Sequence, residues 1–343
     1  MKKVAILGFG SMGRLHYDVW KAMKGVRVVA VCDKNPAGFK QPARAYGLVD
    51  VSSGEVLSAA VAIYTDIAPM LAEVKPDIVD ITLPTRFHAE AAIASLKAGA
   101  DVLCEKPMAL DVKSCDRMMA AAKRTGRKLM IAQCLRFAPA CRYVHDLIAS
   151  GKYGAVVGAT FDRDSMIPGW SGKGKSWFLD EKASGGMILD LHIHDADLIN
   201  WMFGRPKSVT VRRHVRADGV TDRTATLYGY DNCVVTSAAS WAAAPSFSFE
   251  ARSFVELERA TVVMDARRAA PLQVYPFKGK PFTPKIDCAV SPYDAEVKAF
   301  ADWVRGRRSS MPITLAEARD AVALVEAERR SMLTGRTVEL RSR

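Results

Sequence analysis

The chain has 343 residues, 49% of them hydrophobic and 25% charged, with a formal net charge of +12 at pH 7; that length suits about two globular domains, and the balance excludes a disordered or fibrous chain. No apolar stretch reaches the roughly 20 residues of a membrane span, and the basic residues form no long run or aromatic-interleaved strip, which argues against a membrane or nucleic-acid partner. Seven cysteines without a CxxC pair argue against a disulfide framework and for reduced thiols in a cytoplasmic protein.

The opening MKKVAILGFGSMG resembles a signal peptide only superficially, because glycines interrupt its apolar run. Residues 3–8 read instead as a buried strand. Gly8-Phe9-Gly10-Ser11-Met12-Gly13 follows, and 14–24 has helical periodicity. This is GxGxxG between a strand and a helix, the context that binds a dinucleotide. Gly8 makes the tight turn, Gly10 lets backbone approach a pyrophosphate, and Gly13 lets helix and strand pack closely. Ser11 and Met12 open the helix whose positive end would hold the phosphates. Residues 26–33 form a second strand ending in Asp33, twenty residues after Gly13. A carboxylate there binds the ribose hydroxyls and repels a 2′-phosphate, so NAD is expected over NADP. Lys34 beside it is a cation that could tolerate that phosphate.

Residues 37–47 read as a helix and 51–66 as an irregular segment or extra helix. A helix over 67–74, a strand over 77–82, a helix over 85–98, a strand over 101–104, a helix over 111–125 and a strand over 128–133 follow. Strand alternating with helix means a parallel, doubly wound sheet, here over 1–136. Ligands bind at the carboxyl ends of such strands, where Thr82, Leu83, Pro84, Glu105, Lys106 and Arg136 fall. A lysine at such a mouth, beside a nicotinamide, can donate to the reacting oxygen of a hydroxyl or ketone. A surface lysine paired with Glu105 is the plain alternative.

Over 137–343 the pattern changes. A helix over 141–149 and a strand over 155–164 precede a loop carrying Trp170 and Trp177. Flat aromatic faces beside polar groups such as Arg163 suit sugars; core packing and a surface ion pair are the alternatives. The stretch 184–197, SGGMILDLHIHDAD, puts Asp190 and His194 four apart on one apolar helix that runs to Phe203. Positions four apart share a helix face, where a carboxylate can orient an imidazole for proton transfer. A buried helix whose polar residues merely cap and pair is the competing reading. His192 and His194 diverge on a helix and lack a further ligand, so no metal is expected. Alternating β-branched runs over 207–274 then predict a largely antiparallel sheet.

GFGSMG at 8–13, TLPTRFH at 82–88, EKP at 105–107 and GGxxxDxxxHDxD at 185–197 together resemble the Gfo/Idh/MocA family, named for glucose–fructose oxidoreductase, inositol dehydrogenase and a rhizopine-catabolism protein. The resemblance covers nearly the whole chain, including closing helices that could pack back on the N-terminal domain. It implies a Rossmann domain followed by an α+β domain with a large, open, mostly antiparallel sheet. It also implies NAD-dependent hydride transfer at a secondary hydroxyl or ketone carbon of a sugar, sugar derivative or polyol. In that reading Lys106, Asp190 and His194 are catalytic across a cleft, with His194 or Lys106 as the base. Thr82, Pro84, His88 and Glu105 line the nicotinamide side. Arg136, Arg163, Trp170, Trp177 and His192 are candidate substrate contacts, His192 standing where many members have glycine. Residues 49–62 look like an insertion, and the sheet implies a homodimer or homotetramer. A glycosidase that oxidises, eliminates and re-reduces on the same fold is the enzymatic alternative, and a non-catalytic NAD-binding regulator is the other.

Overall fold

The structure, a computed structural model, describes residues 1–36, 39, 57–168, 177–247, 249–265 and 267–340. All of the expected helix over 37–47 but Phe39, and most of the insertion at 49–62, lie outside the described residues. The first elements are β1 (Lys2–Leu7), α1 (Ser11–Ala22), β2 (Val26–Cys32), β3 (Ala62–Tyr64), α2 (Ile67–Val74), β4 (Ile78–Ile81), α3 (His88–Lys97), β5 (Asp101–Glu105), α4 (Val112–Thr125) and β6 (Leu129–Ala132). Then come α5 (Pro139–Ala149), β7 (Val156–Asp164), α6 (Glu181–Ser184), α7 (Gly186–Asp190) and α8 (Ile193–Phe203). Strands β8 (Ser208–Val215), β9 (Thr221–Gly229), β10 (Val234–Ser240), β11 (Glu250–Leu257), β12 (Ala260–Asp265) and β13 (Leu272–Pro276) follow, and α9 (Pro292–Val304), α10 (Leu315–Thr334) and β14 (Val338–Glu339) close the chain.

Two compact units result: Met1–Cys134 with Ser291–Arg319, and Leu135–Val290 with Asp320–Arg343. The first holds a six-stranded sheet in the order β3-β2-β1-β4-β5-β6, parallel throughout. Strands β4, β5 and β6 are buried at every position, as a sheet covered on both faces requires. Residues 51–66, read as irregular or helical, in fact contain the edge strand β3, whose three residues are too few to show a period.

The second unit holds an eight-stranded sheet in the order β13-β12-β11-β7-β10-β9-β8-β14. Only the β7–β10 pair is parallel among its described strand pairs. Its two faces follow from a period of two. Val255, Ala159, Val235, Tyr228 and Val209 sit side by side across five strands and are all buried. The next row, Phe254, Thr160, Thr236, Leu227 and Thr210, points the other way. Phe254 is 42% exposed and Leu227 49%, so the outward face keeps apolar side chains in solvent. Behind β10, a buried cluster of Ile167, Met187, Leu191, Ala239 and Trp241 seats α7.

Cys32, Cys104, Cys115, Cys134 and Cys141 are buried, Cys233 is partly exposed and Cys288 exposed, and all seven are free thiols. No helix among the described residues is long and apolar enough to cross a membrane.

Candidate active site

The glycine loop is built by close approach. Gly8 adopts a φ of +89°, and a Cβ there would sit 2.8 Å from the Thr82 carbonyl oxygen. A Cβ on Gly13 would lie 2.2 Å from the Gly8 oxygen, so neither position accepts a side chain. Thr82 Oγ1 donates to that same Gly8 oxygen at 2.8 Å and fixes the turn. Gly10 differs: a Cβ there would meet nothing within 4 Å. It is the N-cap of α1, with no described side chain capping the helix and no acid in the first turn. An uncapped positive helix end beside open backbone fits a dinucleotide pyrophosphate. Asp33 does more than its spacing foretold. Its Oδ2 accepts from Phe9 N at 2.7 Å and its Oδ1 from Asn35 N at 2.8 Å, so the acid braces the glycine loop. Lys34 is exposed, its amine 5.6 Å from the Phe87 ring centre.

The peptide carrying Lys106 is held from both sides. Glu105 is buried, and its Oε2 accepts from Lys106 N at 3.1 Å. His88 Nδ1 lies 2.8 Å from the Pro107 oxygen, and Nε2 lies 2.7 Å from the Leu83 oxygen. Burial, with the charge of Lys106 adding to it, pushes the His88 pKa down despite those carbonyls. The neutral ring can donate to only one of the two. His88 thus ties the Leu83–Pro84 turn to the Lys106–Pro107 turn. Both His88 and Glu105 are buried, so they shape the strand end from within, while Lys106 is partly exposed.

Asp190 and His194 do not share one helix. Gly185 and Gly186 adopt φ of +82° and +72° and turn the chain into α7, and Arg329 donates to the Gly185 oxygen. Asp190, buried, is the last residue of α7. Leu191 N and His192 N both donate to the Met187 oxygen, at 2.9 and 3.2 Å, and end the helix there. A new helix, α8, then begins, with Asp195 N and Ala196 N both donating to the His192 oxygen. His194 is in its first turn, partly exposed. The break lets His192 turn inward.

Three expected substrate contacts are used inside the fold instead. His192 is fully buried, its Nε2 3.0 Å from Tyr228 Oη and 3.1 Å from Glu328 Oε2 on α10. Burial alone would push its pKa down, but Glu328 outweighs that and holds it above the usual value. Tyr228 donates to Glu328 Oε1 at 2.6 Å. Arg136, 1% exposed, grips Asp197 through Nε and Nη2 at 2.7 and 2.9 Å and lies over the Trp201 ring. Arg163 grips Asp195 in the same two-point manner at 2.8 and 2.7 Å. Buried guanidinium groups need such fork-to-fork partners, which is why the DAD of 195–197 carries two acids. Trp177 is 38% exposed and packs on Phe178, with ring centres 3.9 Å apart. Trp170 lies outside the described residues.

The sequence reading missed a buried group in the first unit. Among the described residues, His16, Glu105 and Glu296 form the one group of three such side chains whose potential ligand atoms all lie within 4.8 Å of one another. Asp80 on β4 and Trp20 on α1 complete that group. A histidine three residues after the glycine motif and an acid inside a strand were the visible signals.

Comparison with known proteins agrees with this architecture. Residues 2–133 match the profile described as "Oxidoreductase family, NAD-binding Rossmann fold", and 141–263 match "GFO/IDH/MocA C-terminal domain". D-apiose dehydrogenase of Paraburkholderia graminis is 26% identical over 99% of this chain and 90% of its own length. D-glucoside 3-dehydrogenase of Escherichia coli is 29% identical over 62% of this chain, a match spanning 57% of that enzyme. Inositol 2-dehydrogenase of Rhizobium meliloti is 31% identical over 63% of this chain and 59% of its own length. The fold is also that of aldose-aldose oxidoreductase from Caulobacter crescentus, complexed with glycerol, with a TM-score of 0.82, 21% identity and 99% of each chain covered. Levoglucosan dehydrogenase, complexed with NADH and levoglucosan, gives a TM-score of 0.81 at 18% identity over 98% of this chain and 99% of that one. The chain therefore belongs to the Gfo/Idh/MocA family of oxidoreductases, with an NAD-binding Rossmann fold and the family's C-terminal domain.

Proposed function

We propose that the chain is an NAD-dependent dehydrogenase acting on a secondary hydroxyl of a sugar, sugar derivative or polyol. The observation that carries this reading is Lys106: a partly exposed lysine at the end of β5, on a peptide clamped by Glu105 and His88, in the unit whose glycine loop leaves Gly10 open. Relatives named D-glucoside 3-dehydrogenase, D-apiose dehydrogenase and inositol 2-dehydrogenase support the substrate class. Bound NAD supplies the hydride acceptor. In this reading Gly8, Gly10, Ser11, Met12 and Gly13 hold the pyrophosphate, and Asp33 holds the ribose and disfavours NADP. Lys106 donates to the reacting oxygen, His194 takes the hydroxyl proton, and Asp190 orients the imidazole. Trp177 offers a flat face to a sugar ring. Apolar side chains on the outward face of the second sheet, Phe254, Leu227 and Val234, support self-association through that face.

The test is NADH formation with myo-inositol, D-apiose, methyl glucoside and levoglucosan, each assayed also with NADP. Stoichiometric NADH with one of these, and weaker turnover with NADP, is the expected result. Cleavage of an aryl glycoside without net NADH would replace the dehydrogenase by the redox-neutral glycosidase. Binding of NAD without either activity would leave a regulator.

A further inference from the structure

Inside the first unit, one imidazole is surrounded by three carboxyl groups. His16 Nδ1 lies 2.9 Å from Asp80 Oδ2, which also accepts from Trp20 Nε1 at 2.6 Å. On the other side of the ring, His16 Nε2 is 3.2 Å from Glu105 Oε1 but misaligned for a hydrogen bond. Glu296, brought in by α9, puts a carboxyl oxygen within 4.8 Å of both. His16, Asp80 and Glu296 are 0% exposed and Glu105 6%. Four of the group's atoms have no hydrogen-bond partner among the described residues: His16 Nε2, Glu105 Oε1 and both oxygens of Glu296. They face one another, so the group is polar, buried and incomplete on one side.

We propose that His16, Asp80, Glu105 and Glu296 form a single proton-sharing cluster, with Glu296 held as the carboxylic acid, that positions the peptide of Lys106. It rests on the proposed catalytic part of Lys106. The reasoning is one of charge. Three carboxylates around one imidazolium, cut off from water, leave an excess of two negative charges, and two of the acids confront each other. A proton on Glu296 removes that confrontation and gives Glu105 Oε1 a donor, directly or through one buried water. Glu105 is then free to spend Oε2 on the Lys106 N–H. The surroundings agree: burial and then the charge of Glu105 raise the Glu296 pKa well above the carboxylate range. Burial would push the His16 pKa down, but Asp80 and Glu105 overcome it and keep the ring charged. Of the neighbouring titratable groups, Cys104, Cys134 and Tyr293 are pushed up by burial and His88 is pushed down by it, so all four stay neutral, and Lys106 is the remaining cation beside Glu105. Glu105 thus connects a buried proton to the position of Lys106, and Glu296 acts through it as a positioning residue.

Two measurements test this on the full chain. Infrared difference spectra of wild type and Glu296→Gln, in H2O and D2O, should show a carboxylic-acid C=O stretch in the wild type that shifts on deuteration and is missing from the variant. This readout needs no substrate. Absence of the band, its survival in Glu296→Gln, or a divalent metal that stays at one per chain through dialysis against a chelator would each overturn the cluster. Steady-state turnover, with the best of the four sugars above, tests the positioning. Glu296→Ala should lower kcat about tenfold or more with little change in either KM, and Glu296→Gln, which keeps a neutral donor, should recover kcat to within about threefold and move the alkaline fall of its pH profile. Equal kcat and pH profile in all three proteins would overturn the positioning part. A protein with the infrared band but no turnover on any sugar would sink the dehydrogenase reading and leave the proton cluster standing.

Discussion

At the scale of single residues, chemistry and architecture compete for the same side chains. Lys106 and His194 are the groups proposed to meet the substrate, and replacing either by Ala should cut turnover by at least about a hundredfold, the scale of a positioned acid or base. NAD binding, followed by fluorescence titration, should survive both changes; near-normal turnover in both would remove them from the chemistry. Asp33 has two duties that one substitution can separate. Its carboxylate accepts from Phe9 N–H and so shapes the glycine loop, while its charge is proposed to repel a 2′-phosphate. Asp33→Asn drops the charge and keeps one acceptor oxygen, enough for Phe9 N–H, while giving up the bond from Asn35 N. Both Asp33→Asn and Asp33→Ala should relax the discrimination between NAD and NADP, but only Ala should weaken NAD binding by loosening the loop as well. An unchanged ratio of the two dissociation constants in Asp33→Asn would refute the ribose role.

At the scale of elements, buried pairs decide what the polar residues of 184–197 can do. His192 joins the break between α7 and α8 to Glu328 of α10. Removing it leaves a buried acid uncompensated, so His192→Ala should lower unfolding free energy by about 3–5 kcal/mol, measured by denaturant titration. Catalysis by the remaining folded protein should be little affected, whereas loss of sugar affinity at unchanged stability would return His192 to the substrate. This is also where the sequence was least legible. Its buried strands announced themselves, since β1 and β4–β6 are short apolar runs separated by helices. The glycine loop was readable because close backbone approach tolerates no other residue at Gly8 and Gly13. By contrast, the apolar spacing of 186–203 looks continuous, and nothing local marks the break at Leu191–His192. What pulls His192 inward is Glu328, 136 positions away in the chain. Likewise Arg136 and Arg163 read as substrate contacts, and Glu296 carries no local signal at all, until the acids and bases that bury them are brought alongside by other elements.

At the scale of the whole molecule, the buried proton cluster couples folding to pH. Glu296 keeps its proton when folded but loses it in the unfolded chain above about pH 4.3. Stability therefore falls as pH rises past that value, by up to about 1.4 kcal/mol per pH unit, until the raised folded-state pKa is passed. His16 has the same sign: its contribution is complete below about pH 6.5 and is lost as pH climbs through its raised folded-state value. Urea unfolding between roughly pH 5 and pH 8 should thus show a falling stability that is flatter in Glu296→Gln. An identical slope in both proteins would mean that Glu296 is ionised in the fold. The thiols offer a separate window on the same molecule. Four cysteines buried in the first unit, Cys32, Cys104, Cys115 and Cys134, and Cys141 buried in the second, can meet an alkylating reagent only when their surroundings open, whereas Cys288 is always in solvent. Mass-resolved alkylation would therefore record a fast modification at Cys288, a slower one at the partly exposed Cys233, and then, residue by residue, the opening free energy of each unit. The chain carries its own reporters of which half loosens first, with no label introduced.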